Sequence, residues 1–481
     1  MINIIKDSDL HIKIDTNDVE YLRAVRDHFS GFVDGYQFMP AFRTSSWDGK
    51  ISLMNVSKRT IPYGLLVDLL RFHKKEYPNV EIKIDDDVLK LLRGSPVHIT
   101  YDLKFQPHYY QQDCIESALK YKRGIIRSAT ASGKSLIIAY IIKTLFENKT
   151  CKKALIIVPT ISLIEQFFDD LIEYGYFKEK MLGKVYEKYK EFDKRVVIAT
   201  WQTLSRRLDK LDQFDCVICD EVHGAKAHEI KKILNFCTSA EYRMGFTGTL
   251  PTSDLDIYNV KSFLGPVIRE YGAGLLGDQG YISKANIIVV DIKYQNEYKG
   301  TYDEVKEQIF KNQFRLGILN EITNYVEENV LFLVGMVERE GVILKEYLEK
   351  NSTGKEVIFL HGTTKVEERE YWRKECEVRK NVVLIATYGI YQQGVNIPSL
   401  KYIVLASPYK SKIRVLQSIG RGLRNHENKK DGAFIFDIFD DCKYLYDHGV
   451  KRERHYHKEG FDVKDIVVQE GDNLTGMFTP S

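Results

Sequence analysis

Two short stretches carry residue types suited to holding a triphosphate. The first, "SATASGKS" at residues 128 to 135, sits between an apolar strand-like run, "GIIR", and an apolar helix-like run, "LIIAYIIKTLF". A strand, a loop of small residues and then Gly-Lys-Ser opening a helix is the P-loop arrangement, in which loop N–H groups and the positive end of the helix dipole cradle phosphate oxygens. The expected ATP-binding set is Ser128, Ala129, Thr130, Ala131, Ser132, Gly133, Lys134 and Ser135. Lys134 would reach the terminal phosphates, and the Ser135 hydroxyl would bind Mg2+. One departure stands out: the general pattern begins with glycine, and Ser128 occupies that place.

The second stretch, "FDCVICDEVH" at 214 to 223, has two parses. Cys216 and Cys219 have the spacing of a redox pair or half a zinc site. In a strand, however, residues three apart face opposite sides, and no second cysteine pair lies nearby to complete four ligands. The thiols are therefore expected to be structural. Asp220 and Glu221 sit where an apolar strand ends, the edge at which open α/β sheets bind ligands. Asp220 is the expected Mg2+ partner, and Glu221 the group that polarises the attacking water. His223 is either a surface histidine or a link from the nucleotide site to something else.

These motifs need a sheet to hold them. From about residue 124, short β-branched runs ("GIIRS", "KALIIVP", "RVVIAT", "DCVICD", "RMGFTGT") alternate with helical stretches, and a second series follows ("VLFLVG", "EVIFLHG", "VVLIAT", "KYIVLAS", "GAFIFDI"). Such alternation predicts two mostly parallel sheets in tandem, each covered on both faces. Between them, five glycines and a proline in 264 to 284 predict a connection or hinge. The first hundred residues differ in style, with aromatic, alternating segments around "FRTSSWDGKISLM", where Asp48-Gly49 reads as a tight hairpin turn. The expected fold is α/β, with four regions: an N-terminal α+β domain at 1–104, parallel-sheet domains at 105–283 and 284–443, and a helical C-terminal extension at 444–481. That extension carries the basic run "KRERHYHK", which reads either as a solvated helix or as a DNA contact.

Composition sets the outer bounds. The 481 residues, 44% hydrophobic and 28% charged, fit an ordinary globular chain of several domains. A net charge of +3 cannot by itself identify a polyanionic partner. Lysine and aspartate come too early for a secretory signal, no apolar run is long enough to span a bilayer, and seven scattered cysteines fit reduced thiols. A cytoplasmic location, no membrane partner and a monomeric state are the default expectations.

The ordered series "PHYYQ", "SATASGKS", "VPTISLIEQ", "TWQTL", "DEVH" and "TGT", continued by "LVGMVE", "ATYGIYQQGVNIP" and "QSIGRGLR", resembles the motifs of superfamily 2 helicases over roughly residues 105 to 440. The resemblance implies two RecA-like domains with ATP between them and nucleic acid running across both. By that analogy Gln111 recognises adenine, while Gln417, Arg421 and Arg424 act catalytically, the arginines reaching the γ-phosphate from the second domain. Spacing alone puts these three on one helix side, which suits a solvated face equally well. By the same resemblance His223, Thr247 and Thr249 couple the two sites, although Gly248 stands where many relatives have alanine. Pro159, Thr160, Thr200, Gln202 and Thr387 are its implied DNA contacts.

Within the superfamily, "FRTSSWDGK", "SKIRVLQSIGRGLR", "FDIFDD" and "HGVKRERHYHKEGF" resemble the UvsW-type recombination helicases of T-even-like phages. That implies an ATP-dependent DNA helicase acting on Holliday junctions, stalled forks, displacement loops and RNA–DNA hybrids, in the company of single-strand-binding or recombination proteins. Arg43, Trp47 and Lys50 would then hold phosphates and stack on a base, or else be a structural tryptophan beside solvated charges. Two alternatives share the core: a double-strand translocase or RNA-directed ATPase, and an annealing scaffold with a vestigial site. Against the last stand the intact Lys134, Asp220, Glu221 and Arg421.

Overall fold

The structure is a computed structural model and describes the whole chain except residues 9, 34, 223–226, 252, 353, 394–396, 408–411, 425, 476 and 479–481; at 227–228, 392–393, 412–414 and 417 it describes the backbone alone. The chain divides into two compact units: Met1–Ser128 with Gly133–Glu270, and Ala129–Ser132 with Tyr271–Ser481. One change of unit, between Glu270 and Tyr271, thus falls inside the stretch expected to be a connection, and the other two bracket Ala129–Ser132. That stretch is not featureless, since it forms a strand, Val267–Tyr271, and a short helix, Ala273–Asp278.

In the first unit, six apolar runs build the heart of an eight-stranded sheet, in the order Leu182–Tyr186, Val196–Thr200, Ala154–Val158, Cys216–Asp220, Tyr242–Thr247 and Arg123–Ser128. All five pairings among them are parallel. The three strands at its centre are buried at every position, as a sheet covered on both faces requires. Register matters more than order here. Val158 lies opposite Thr200, Asp220 opposite Phe246, and Thr247 opposite Arg127, so every motif-bearing loop leaves from the same carboxyl edge.

The N-terminal residues add a separate four-stranded mixed sheet, ordered Thr60–Pro62, His11–Asp15, Ile2–Lys6, Ile82–Ile84, whose core includes Ile4, Ile12, Val25 and Leu69. This domain packs on the helix Asp254–Leu264 of the same unit: Lys261 Nζ bonds both Asp68 oxygens at 2.9 Å, and Phe29 meets Tyr258 edge to face, ring centres 5.0 Å apart. The tight hairpin expected at Asp48-Gly49 is absent. Strand Lys50–Ser52 instead pairs with Ser30–Phe32, and the long intervening segment carries the helix Pro40–Arg43. Asp48 still makes a turn, its Oδ1 accepting from the Lys50 N–H at 2.9 Å, but that turn only starts the strand.

The second unit is a seven-stranded sheet, ordered Glu356–Leu360, Val382–Thr387, Val330–Val334, Tyr402–Leu405, Ala433–Asp440, Ala285–Lys293 and Asp462–Gln469, and parallel throughout. The C-terminal extension is therefore a helix, Leu445–Glu459, followed by an unforeseen edge strand. Two residues of the basic run turn inward. Buried Arg452 donates through Nε and Nη2 to Asp437 at 2.9 Å, and the Tyr456 hydroxyl donates to the same carboxylate at 2.7 Å. Those two residues hold the helix to the sheet, leaving Lys451, Arg454 and Lys458 exposed.

Candidate nucleotide and nucleic-acid site

Strand Arg123–Ser128 ends in the phosphate loop, and the helix Lys134–Glu147 starts directly after it. Ala131 at φ +69° and Gly133 at +74° turn the loop through left-handed backbone, the alternation that points successive N–H groups into a concavity. Ser128 is fully buried at the position expected to be glycine, with Ala129 N–H bonded to the Tyr271 carbonyl at 3.0 Å and Ser132 N–H to Ala129 O at 3.2 Å. Thr130 lies at the tip of this turn.

Lys134 Nζ lies 3.4 Å from Ser128 O and 3.7 Å from Glu221 Oε1, with both side chains largely buried. Glu221 itself has φ +51°, an uncommon backbone for a residue with a β-carbon, of a kind often retained at functional sites. Asp220 ends its strand with Oδ1 buried and without a hydrogen-bond partner. Burial, then the neighbouring Glu221 charge, pushes its carboxyl well above the usual range, and the Lys134 ammonium opposes that rise. An orphaned buried carboxylate oxygen beside a cationic lysine fits a site for a divalent cation. Ser135 Oγ, the other expected ligand, shares a 2.7 Å hydrogen bond with the Tyr174 hydroxyl. Tyr174 went unnoticed in the sequence because it lies 39 residues downstream, with no motif around it.

Gln111 is buried on the helix Tyr109–Tyr121, where its Oε1 accepts from the His108 N–H at 2.8 Å. This fixes the amide so that Nε2 lies against Gly133. Thr247 and Thr249 are buried and tie their own turn: Thr247 Oγ1 donates to Thr249 O at 2.6 Å and accepts from its N–H at 3.3 Å. His223 lies outside the described residues.

Along the same edge the expected nucleic-acid residues of the first unit gather. Thr160 caps the helix Ile161–Glu173 through the Leu163 N–H, Thr200 bonds Thr203 at 2.9 Å, and Gln202 Nε2 reaches across to Pro159 O at 3.2 Å. Arg43, Trp47 and Lys50 sit apart from this edge, on the N-terminal domain. Trp47 is half-buried and donates to Lys50 O at 2.6 Å, while Lys50 Nζ lies 4.8 Å from the Phe32 ring centre. Arg43 is exposed, as are Phe32 and Phe38, so a basic and aromatic surface is present.

In the second unit, Thr387 ends its strand, buried. The helix Lys412–Gly422 contains Arg421 but stops before Arg424, so the expectation of one helical face for Gln417, Arg421 and Arg424 is corrected. A tight turn after Gly420, in which Leu423 N–H bonds Gly420 O at 3.2 Å, leaves Arg424 beyond the helix end. The side chain of Gln417 lies outside the described residues. Arg421 and Arg424 nevertheless share a neighbour: burial pushes the Tyr391 phenol up to about 12 while both guanidinium charges act against the rise. All seven cysteines are free thiols, six of them buried, Cys216 and Cys219 included. No metal-holding group of histidine, cysteine or acidic side chains occurs among the described residues, nor any helix long and apolar enough to cross a membrane.

Residues 104–252 match the family model for the res subunit of type III restriction enzymes, residues 315–426 that for the conserved C-terminal domain of helicases, and residues 2–85 that for the N-terminal region of the DNA helicase UvsW. A fragment of a putative HsdR subunit of a type I restriction enzyme from Vibrio vulnificus shares the fold, with a TM-score of 0.59 over 88% of this chain and 77% of its own at 18% identity. Two parallel sheets with these motifs on them make the chain a superfamily 2 helicase. More narrowly it resembles the UvsW type. The ATP-dependent DNA helicase uvsW of Enterobacteria phage T4 is 28% identical over 94% of this chain and 96% of its own, and the crystal structure of T4 UvsW covers 97% of this chain and 99% of its own with a TM-score of 0.51. The DNA 3'-5' translocase XPB2 of Sulfurisphaera tokodaii is 24% identical over 82% of this chain and 93% of its own.

Proposed function

We propose that this ATP-dependent DNA helicase uses nucleotide hydrolysis to remodel branched DNA, including Holliday junctions, stalled forks, displacement loops and RNA–DNA hybrids, in recombination, replication and repair. The observation that carries the ATPase part is the convergence of Lys134, Asp220 and Glu221 at one sheet edge, with Lys134 Nζ 3.7 Å from Glu221. In this reading the loop N–H groups and Lys134 hold the β- and γ-phosphates, and Gln111 reads the adenine edge. Ser135 and Asp220 would hold Mg2+, which when bound offsets charge on the phosphate oxygens. Glu221 accepts a proton from the attacking water. Arg421 and Arg424 neutralise charge that develops on the γ-phosphoryl oxygens, which makes turnover depend on how the second unit is held. Thr247 and Thr249, with His223, pass that dependence to the strand-binding edge formed by Pro159, Thr160, Thr200 and Gln202, with Thr387 serving the second unit.

Arg43, Trp47 and Lys50 add a contact that favours branched over linear DNA, supported by the exposed basic and aromatic surface around them. The protein works as a monomer in the host cytoplasm beside single-strand-binding or recombination proteins. A second reading, translocation on uninterrupted duplex, is favoured by the likeness to a protein named as a DNA translocase. One panel separates the two: labelled forks, four-way junctions, linear duplexes and RNA–DNA hybrids, with and without ATP. Remodelling of forks and junctions, abolished in Lys134→Ala with DNA affinity retained, is the expected result. Stimulation of ATP turnover by linear duplex as strong as by forks, with no strand separation, would favour the translocase. Undiminished turnover in the lysine variant would reject the site.

A further inference from the structure

Arg421 lies one residue from the end of its helix and Arg424 two residues beyond it, so both depend on a helix terminus whose last carbonyls have no partner within the helix. Lys429 and Ser283 hold the carbonyls at and just beyond this terminus. Lys429 Nζ donates to Gly422 O at 2.8 Å and to Arg424 O at 3.3 Å. Ser283 donates through its N–H to Leu423 O at 2.9 Å and through Oγ to Arg424 O at 3.3 Å. Three consecutive carbonyls, 422 to 424, are thus held by one side chain and one residue of the segment leading into strand Ala285–Lys293.

Lys429 and Ser283 are both buried, and a buried lysine is an expensive way to cap a helix. Burial and the positive charge of Arg424 push the ammonium down to about 8, with Glu377 as the opposing negative charge. A simple cap needs none of this, because exposed carbonyls can bond to water. Excluding water while fixing three carbonyls makes sense where the backbone must not drift.

Resting on the proposed role of the arginines, we infer that Lys429 is a positioning residue for Arg421 and Arg424, acting with Ser283 to fix the turn that carries them. An arginine displaced by about 1 Å loses on the order of a hundredfold in rate, while ground-state nucleotide binding, made by the other motifs, is untouched.

The test is a double-mutant cycle in the full chain, measuring fork-stimulated ATP hydrolysis by wild type, Lys429→Met, Arg421→Ala and the double variant. Lys429→Met is expected to lower kcat about tenfold or more, leaving KM for ATP and fork affinity within about twofold, and to lower it by a clearly smaller factor in the Arg421→Ala background, where only Arg424 is left to position. Unchanged kcat, or losses that multiply in the double variant, would overturn the inference. Should Lys429→Met fail to fold, Ser283→Ala removes one donor to Arg424 O and enters the same cycle, with a smaller kcat loss that must likewise shrink beside Arg421→Ala. A full-rate Arg421→Ala overturns the arginine reading and this inference together; a slow Arg421→Ala with a normal Lys429→Met overturns the inference alone.

Discussion

At Gly133 two constraints meet: the backbone stands at φ +74°, and a β-carbon there would come within 2.5 Å of Gln111 Nε2. Gly133→Ala should therefore displace the glutamine amide and strain the loop by about 1–2 kcal/mol. It is expected to raise KM for ATP while leaving DNA affinity in place, measurable by turnover at varied ATP beside a DNA-binding titration. Glu221→Gln keeps the shape of the site and removes its proton acceptor. It is expected to bind nucleotide normally while hydrolysis falls by about 10²–10⁴, the range for loss of a positioned base. Lys134, Asp220 and Glu221 were legible in the sequence because phosphate chemistry demands their types at strand ends. Lys429 and Tyr174 were not, since their roles arise from contacts made 5 to 39 positions away, without a pattern in residue type.

The elements of the two sheets were legible where burial is complete. All ten apolar runs recognised as strands form strands, because a doubly covered parallel sheet writes an unbroken β-branched run. Strand Asp462–Gln469 is not legible because it is an edge, where only Val468 is fully buried and charged residues interrupt the apolar run. Strand Val267–Tyr271 was hidden among the glycines around it. The buried Arg452–Asp437 pair makes an element-scale prediction. Arg452→Met leaves a carboxylate buried without its cation and should cost about 3–5 kcal/mol in urea denaturation, whereas adding Asp437→Asn should recover part of that loss.

Lys355 makes another. Its Nζ donates to the carbonyls of Thr323, Val326 and Glu328 at the end of the helix Gln313–Tyr325, and burial lowers its pKa to about 8. Below pH 8 the lysine is charged in both states, and the folded protein carries the full burial penalty. Between 8 and 10.5 only the unfolded chain keeps the proton, so this group adds stability as pH rises. Wild type should therefore gain stability relative to Lys355→Met from pH 8 to 9.5, read from paired urea midpoints; a constant difference would reject the shift.

For the whole molecule, the N-terminal domain is joined to the helix Asp254–Leu264 of its own unit through Asp68, Lys261 and the close passage of Gly64 against the Lys261 backbone. Gly64→Val has no flexible side chain to push aside and should unseat the domain. Limited proteolysis is expected to cut faster between the N-terminal sheet and the helix Tyr109–Tyr121, with the P-loop unit still binding nucleotide. The central claim is the one proposed above: a phosphate held by Lys134 is hydrolysed only with help from Arg421. Single-turnover ATP hydrolysis on saturating fork DNA, run for wild type and Arg421→Ala with nucleotide affinity measured alongside, tests it most directly. The expected result is ATP affinity within a few-fold of wild type and a hydrolysis step slower by about 10³ or more. A hydrolysis step at the wild-type rate in Arg421→Ala would contradict the account.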